Sequence, residues 1–153
     1  MHIHFVCTGN LYRSRLAEGY LRSKNLPGIL VSSSGVEAAN NTSGPVSWYT
    51  VRLLKYFGII KYISMVWTQT TSDVLKAPDL IIFMEPFHLD TARNKFDYSG
   101  KNFEVWGVKD IDKVLDGKRS LEKECLEKTE STFQKIREKV DDLIQRRSLF
   151  WGK

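Results

Sequence analysis

Cys7-Thr8-Gly9-Asn10-Leu11-Tyr12-Arg13-Ser14 follows the apolar-rich run His2 to Val6 and leads directly into a segment of helical character. Five residues separate the cysteine from the arginine. That spacing lets a backbone curl around a tetrahedral oxyanion, aim its N–H groups inward and close the ring with a guanidinium. Successive N–H groups and the N-terminus of the following helix make a positive concavity, which favours bound phosphate and favours a thiolate over a thiol. One loop thus combines an anion receptor with a nucleophile, Cys7. Arg13 can grip two oxygens bidentately, and Ser14 can donate to the sulfur. Gly9 is expected to let the backbone turn without a Cβ clash, and Asn10 tolerates a left-handed conformation. Thr8, Gly9, Asn10, Leu11, Tyr12 and Ser14 are the expected substrate-binding residues.

A buried cysteine at a strand end is also an ordinary small hydrophobe. Context separates the two readings. A short strand precedes the loop, and Arg13 to Arg22 reads as a helix with Leu16, Gly19, Tyr20 and Leu21 near one face.

Outward from the loop, strand and helix patterns alternate. Ile29 to Ser34 is a β-branched strand after the Pro27-Gly28 turn, and Ala38 to Pro45 is a loop rich in breakers. Ser47 can cap a helix carrying Val51, Leu54, Tyr56 and Phe57, whereas Lys61 to Trp67 has no clear period. Thr71-Ser72-Asp73 starts a short helix that stops before Pro78, and Leu80 to Met84 reads as a strand buried on both faces. Pro86 opens a helix to about Lys95, and Asn102 to Trp106 is a fourth strand. A long amphipathic helix from about Ser120 to Arg146 carries the stripe Leu126, Phe133, Ile136, Val140, Leu143 and Ile144, expected to pack on the sheet. This order predicts a single-domain α/β fold over residues 1–153: a parallel four-stranded sheet flanked by helices on both faces, with ligands at the C-terminal strand ends.

At 153 residues and 42% hydrophobic composition, the chain is long enough for one well-buried core. Its net charge of +5 is spread along the sequence, which suits acidic or phosphorylated partners but gives no motif for specific nucleic-acid binding. No apolar run approaches the ~20 residues of a membrane span, and nothing at the N-terminus has the form of a signal peptide. Two cysteines, one needed as a thiolate, suit a reducing compartment. The expected location is therefore cytoplasmic, and the expected state a monomer. His2 and His4 alternate along the first strand without a third ligand at metal spacing, and His88 stands alone on its helix, so no metal or other cofactor is expected.

Val6-Cys7-Thr8-Gly9-Asn10-Leu11-Tyr12-Arg13-Ser14, continued by Arg15-Leu16-Ala17-Glu18, resembles the low-molecular-weight protein tyrosine phosphatase family, whose pattern is V-C-x-G-N-x-C-R-S followed by x-x-A-E. The resemblance continues in Val31-Ser32-Ser33-Ser34-Gly35, in Leu53-Leu54-Lys55-Tyr56-Phe57-Gly58-Ile59 and in Asp79-Leu80-Ile81-Ile82-Phe83-Met84. It implies a cysteine-dependent phosphatase acting on a phosphotyrosyl protein or a small aryl phosphate, through a phosphocysteine and without a cofactor. It also implies that Ser33 supports Asn10, with a one-residue ambiguity among the three serines.

Three departures from the family pattern matter. Tyr12 stands where the family has a second cysteine, so Cys7 lacks that disulfide protection against overoxidation. Cys125, on the long helix, reads as a helix-face hydrophobe. The family's general acid lies in an Asp-Pro pair; alignment of Trp106-Gly107-Val108 places Asp110 there, with Asp112 as the alternative and no proline following either. The aromatic substrate wall that follows that pair is also missing, leaving Trp48 with Tyr49, Trp106 or Tyr12 as substitutes. Two rival readings remain: a phosphate- or phosphoprotein-binding module without turnover, and an arsenate reductase, which would need further cysteines on a nearby flexible segment where this chain has none.

Overall fold

β1 (His2–Cys7) is the strand around which the molecule is organised, in a computed structural model that describes residues 1–42, 44–111 and 119–151. Its side chains alternate between two apolar layers, as strand geometry requires. Ile3, Phe5 and Cys7 face one core, and Val6 faces the other. β2 (Leu30–Gly35), β3 (Leu80–Phe83) and β4 (Phe103–Val105) complete a parallel sheet of order β2-β1-β3-β4. The larger core is closed by α1 (Arg13–Ser23), α2 (Trp48–Tyr56) and α5 (Arg119–Trp151), which contribute Leu16, Leu53, Leu54, Phe133, Ile136, Val140 and Leu143. The smaller core lies under α3 (Ser72–Lys76) and α4 (Pro86–Phe96), through Leu75, Leu89 and Ala92. Single 3₁₀ turns occur at Ala38–Asn40 and Ile60–Tyr62.

The expected parallel four-stranded sheet with helices on both faces is therefore the fold, with differences at the element ends. β1 and β2 each run one residue further than their apolar patterns, because parallel pairing continues to Cys7 opposite Gly35. The last helix runs on to Trp151, beyond the expected end near Arg146. Residues 61–67 are mostly irregular, and long-range bonds hold them. Arg15 donates through Nη2 to the carbonyls of Ser64 and Val66, and Arg22 Nη1 donates to Tyr62 O at 3.1 Å. Among the described residues, no helix is long and apolar enough to cross a membrane.

In the order β2-β1-β3-β4 the chain leaves β1 first to one side and later to the other. The C-terminal end of β1 thus lies at a reversal of strand order, where open α/β sheets bind ligands. Cys7 is the last residue of that strand.

Candidate active site

The loop from Cys7 to Ser14 is held from beneath by a chain of buried polar groups. Asn10 adopts the left-handed conformation expected for it, with φ of 55°. Its side chain turns away from the cavity: Nδ2 donates to Ser14 Oγ (2.9 Å) and Ser33 Oγ (2.8 Å), while Oδ1 accepts from the backbone N–H of Thr68 (2.9 Å). The Ser33 hydroxyl donates to Glu18 Oε2 at 2.5 Å. Glu18 is in turn paired with Arg15 and Arg22. Ser14 Oγ lies 2.9 Å from Cys7 Sγ. Both polar atoms of the Asn10 side chain are thus paired, as burial demands, and the sulfur stands at the end of a connected network.

Glycine is required at a position other than the expected one. An added Cβ at Gly9 would meet only the Leu11 side chain, 3.5 Å away. At Gly35 it would lie 2.5 Å from Thr8 O, 2.6 Å from Asn10 N and 2.7 Å from Gly9 C, so the end of β2 must lack a side chain for the loop to pack against it.

Arg13 is buried and fixed by groups remote in sequence. Nη1 donates to Glu85 Oε2 (2.5 Å) and to the carbonyl of Val108 (2.8 Å), and Nη2 donates to Thr8 Oγ1 (3.3 Å). Glu85 is the N-cap of α4, two residues after the end of β3, and Val108 follows β4. Asp110 Oδ2 lies 3.2 Å from Arg13 Nη2, and Asp110 Oδ1 accepts from the backbone N–H of Ile111. The segment leading to Asp110 has no proline, yet it is anchored by Trp106 N–H to Phe83 O and Val108 N–H to Met84 O. Asp112 lies outside the described residues.

These groups open on a cavity of about 460 Å³ whose lining includes Cys7, Thr8, Gly9, Leu11, Tyr12, Arg13, Glu37, Trp48, Tyr49 and Asp110. Trp48 is half exposed and packs edge-on against Tyr49 (5.5 Å), which packs edge-on against the buried Tyr12 (5.0 Å). Burial pushes the Tyr12 and Tyr49 phenols above their ordinary range. Trp106 is no part of this wall. It is buried against Phe5, and its indole N–H donates to Glu104. Cys125 is buried, as a helix-face hydrophobe would be.

His88 also departs from expectation, for it does not stand alone. It is fully buried: its Nδ1 accepts the backbone N–H of Glu85 (3.0 Å), and its Nε2 lies 2.9 Å from Thr8 Oγ1. Its sequence signal was limited to its place two residues after Pro86. His2 and His4 both bond to Ser32 Oγ at 2.6 Å, and His4 reaches Ser34 Oγ at 2.8 Å. Among the described residues, no group of three or more His, Cys, Asp or Glu is arranged to hold a metal.

Burial lowers both His4 and His88 to about 3, aided by His2 in the first case and Arg13 in the second. The unfolded chain takes up these protons near the ordinary value of ~6.5, whereas the folded chain does not. Stability is therefore fully present above ~6.5 and is lost progressively as the pH falls towards about 3, by about 2 kcal/mol per histidine at pH 5. Thermal unfolding should show a clearly lower Tm at pH 5.0 than at pH 7.5. His4→Gln, which keeps a donor and an acceptor but does not titrate, should remove about half of that dependence. Equal Tm values for the unmodified chain would contradict the assignment.

Comparison with known proteins completes the description. The family model for low molecular weight phosphotyrosine protein phosphatase matches residues 2–148. Over 57 residues the chain is 46% identical to a protein-arginine-phosphatase of Geobacillus stearothermophilus, a match spanning 37% of this chain and 37% of that relative's own length. Wzb of Vibrio vulnificus, solved with benzylphosphonate, shares the fold with a TM-score of 0.75 at 22% identity, over 95% of this chain and 97% of that one. A low molecular weight protein tyrosine phosphatase from T. tengcongensis is 26% identical, with a TM-score of 0.73 over 95% of this chain and 99% of that one. With the model matched from the first strand into the last helix, the chain belongs to the low molecular weight phosphotyrosine protein phosphatase family, whose members are hydrolases.

Proposed function

We propose that this chain hydrolyses phosphotyrosine or related aryl phosphate monoesters, with Cys7 as nucleophile, Arg13 as phosphate ligand and Asp110 as proton donor. The observation that carries the reading is the convergence of Cys7, Arg13 and Asp110 on one cavity bounded by Leu11, Trp48 and Tyr49. A phosphoryl dianion takes the place of Asp110 on the Arg13 guanidinium, leaving Asp110, in its acid form, to serve the leaving group. The Cys7 thiolate attacks phosphorus in line, the phosphorus–oxygen bond breaks, and Asp110 gives its proton to the departing phenolate. Water then attacks phosphorus and loses a proton to Asp110, the sulfur–phosphorus bond breaks, and inorganic phosphate leaves. Loop amides and Arg13 balance the charge of the equatorial oxygens throughout. Asn10, Ser14 and Ser33 serve as framework for the loop, and Thr8, Gly9, Leu11 and Tyr12 line the path of the substrate. The substrate is either a phosphotyrosyl protein or a small aryl phosphate, and the protein acts as a monomer in the cytoplasm.

Phosphoarginine is the second reading, favoured by the arginine phosphatase among the relatives. Its guanidinium needs acceptors, which Glu37 and Asp110 offer at the cavity. Leu11, however, presents only hydrocarbon to it, and an aryl ring suits a wall of Leu11, Trp48 and Tyr49 better.

Hydrolysis of a phosphotyrosine peptide and a phosphoarginine peptide of the same sequence, followed between pH 4 and 8 under reducing conditions, separates the readings. The phosphotyrosine peptide should have the higher kcat/KM. Asp110→Asn should lower kcat on it about 10²-fold and flatten one limb of the pH profile. Preference for phosphoarginine would reassign the substrate, and phosphate binding without turnover of either peptide would make the chain a binding module.

A further inference from the structure

Thr8 belongs to the loop that would hold the phosphoryl group, and its hydroxyl has two neighbours besides the cavity. Arg13 Nη2, which can only donate, lies 3.3 Å from Thr8 Oγ1. His88 Nε2 lies 2.9 Å from the same oxygen. Which of that pair donates is decided at the other side of the imidazole ring. The backbone N–H of Glu85 points at His88 Nδ1 from 3.0 Å, so Nδ1 must present its lone pair there. A neutral imidazole with its lone pair on Nδ1 carries its proton on Nε2. His88 is therefore the donor and Thr8 Oγ1 the acceptor.

The consequence lies at Thr8. A hydroxyl has two lone pairs and one proton, and here both lone pairs face donors, Arg13 and His88. The proton is left to point elsewhere, and Thr8 lines the cavity shared by Cys7, Arg13 and Asp110. We infer that His88 is a positioning residue: by donating to Thr8 Oγ1 it makes the Thr8 hydroxyl an obligate donor to the bound phosphoryl group. The loop thereby gains a side-chain donor beside its backbone amides and Arg13. His88 itself touches no reacting atom and acts through Thr8. The inference rests on the reading of this cavity as a phosphate site, but not on turnover.

The test measures dissociation constants for inorganic phosphate by titration calorimetry on the reduced full-length chain, so that it does not depend on hydrolysis. Thr8→Val keeps the shape of the side chain and removes its proton, and should weaken phosphate about tenfold, the size of a hydrogen bond to an anion. Thr8→Ser should restore most of that loss. In His88→Asn the amide oxygen can still accept the Glu85 N–H, but the side chain is too short to reach Thr8. It should weaken phosphate severalfold, and adding it to Thr8→Val should cost almost nothing more. Cooperative thermal unfolding of each variant shows that it is folded.

Unchanged phosphate affinity in Thr8→Val would overturn the inference. So would a loss in His88→Asn that adds in full to that of Thr8→Val, which would mean that His88 acts through Glu85 and Arg13. Failure of the unmodified chain to bind phosphate would sink both this inference and the phosphatase reading. Binding without hydrolysis would sink only the latter, and the Thr8 and His88 comparisons would still decide this one.

Discussion

Cys7→Ser is expected to lower kcat on phenyl phosphate by about 10⁴-fold or more, the scale of losing a nucleophile that no other group replaces. A serine hydroxyl at neutral pH is a far weaker nucleophile than a thiolate, and the neighbours that serve the sulfur do not supply a base for it. Ser14 Oγ, 2.9 Å away, is already engaged by Asn10 Nδ2. The anion receptor should survive, because Arg13 is held by Glu85 and Val108 O and not by Cys7. Phosphate titration of the variant should therefore give an affinity within a few-fold of the unmodified chain. Steady-state kinetics and calorimetry together check the pair of outcomes. Residual turnover above about a tenth of the parent rate would remove Cys7 from the nucleophile's role.

The second large effect is expected at a residue that would not touch the substrate. Gly35→Ala places a methyl group within 2.5 to 2.7 Å of three backbone atoms of the phosphate loop, at Thr8, Gly9 and Asn10. Backbone cannot swing aside as the end of a long side chain can, so β2 or the loop must move. Forced shifts of this kind cost about 1–3 kcal/mol of stability. Displacing the loop by even about 1 Å misaligns the nucleophile with the anion site, worth about 10² in rate. We expect kcat/KM to fall by about that factor while the protein still unfolds cooperatively, and phosphate affinity to fall with it. Near-parental kinetics in a folded Gly35→Ala chain would show that the loop tolerates displacement.

The two sites show how far the amino-acid sequence can be read. Cys7 to Ser14 is contiguous, so its strand-turn-helix context and its Cys-to-Arg spacing were legible without coordinates. Leu80 to Met84 and the helix opened by Pro86 were legible for the same reason, since hydrophobic period and a fixed proline φ are local properties. Glu85 and His88 were not, although they lie in that well-predicted stretch. Their significance comes from Arg13 and Thr8, more than 70 residues away in the chain. Trp106 could be read only as one of several alternatives because an aromatic residue near the site can be wall or core, and its contact with Phe5 decides for core. Gly9 was credited with a steric role that belongs to Gly35, because the crowding arises between strand β2 and the loop.

What the sequence by itself determined is the set of elements, their parallel α/β arrangement, and the family spacing of a cysteine and an arginine in one loop. These follow from periodicity, turn residues and short-range spacing. Only the tertiary structure brought Glu85 and Asp110 to Arg13 and decided which aromatics line the cavity, which glycine must stay a glycine and which partner lies against Thr8. Each of those depends on the distance between groups far apart in the chain, and that distance is set by sheet order and by packing rather than by any local preference of the backbone.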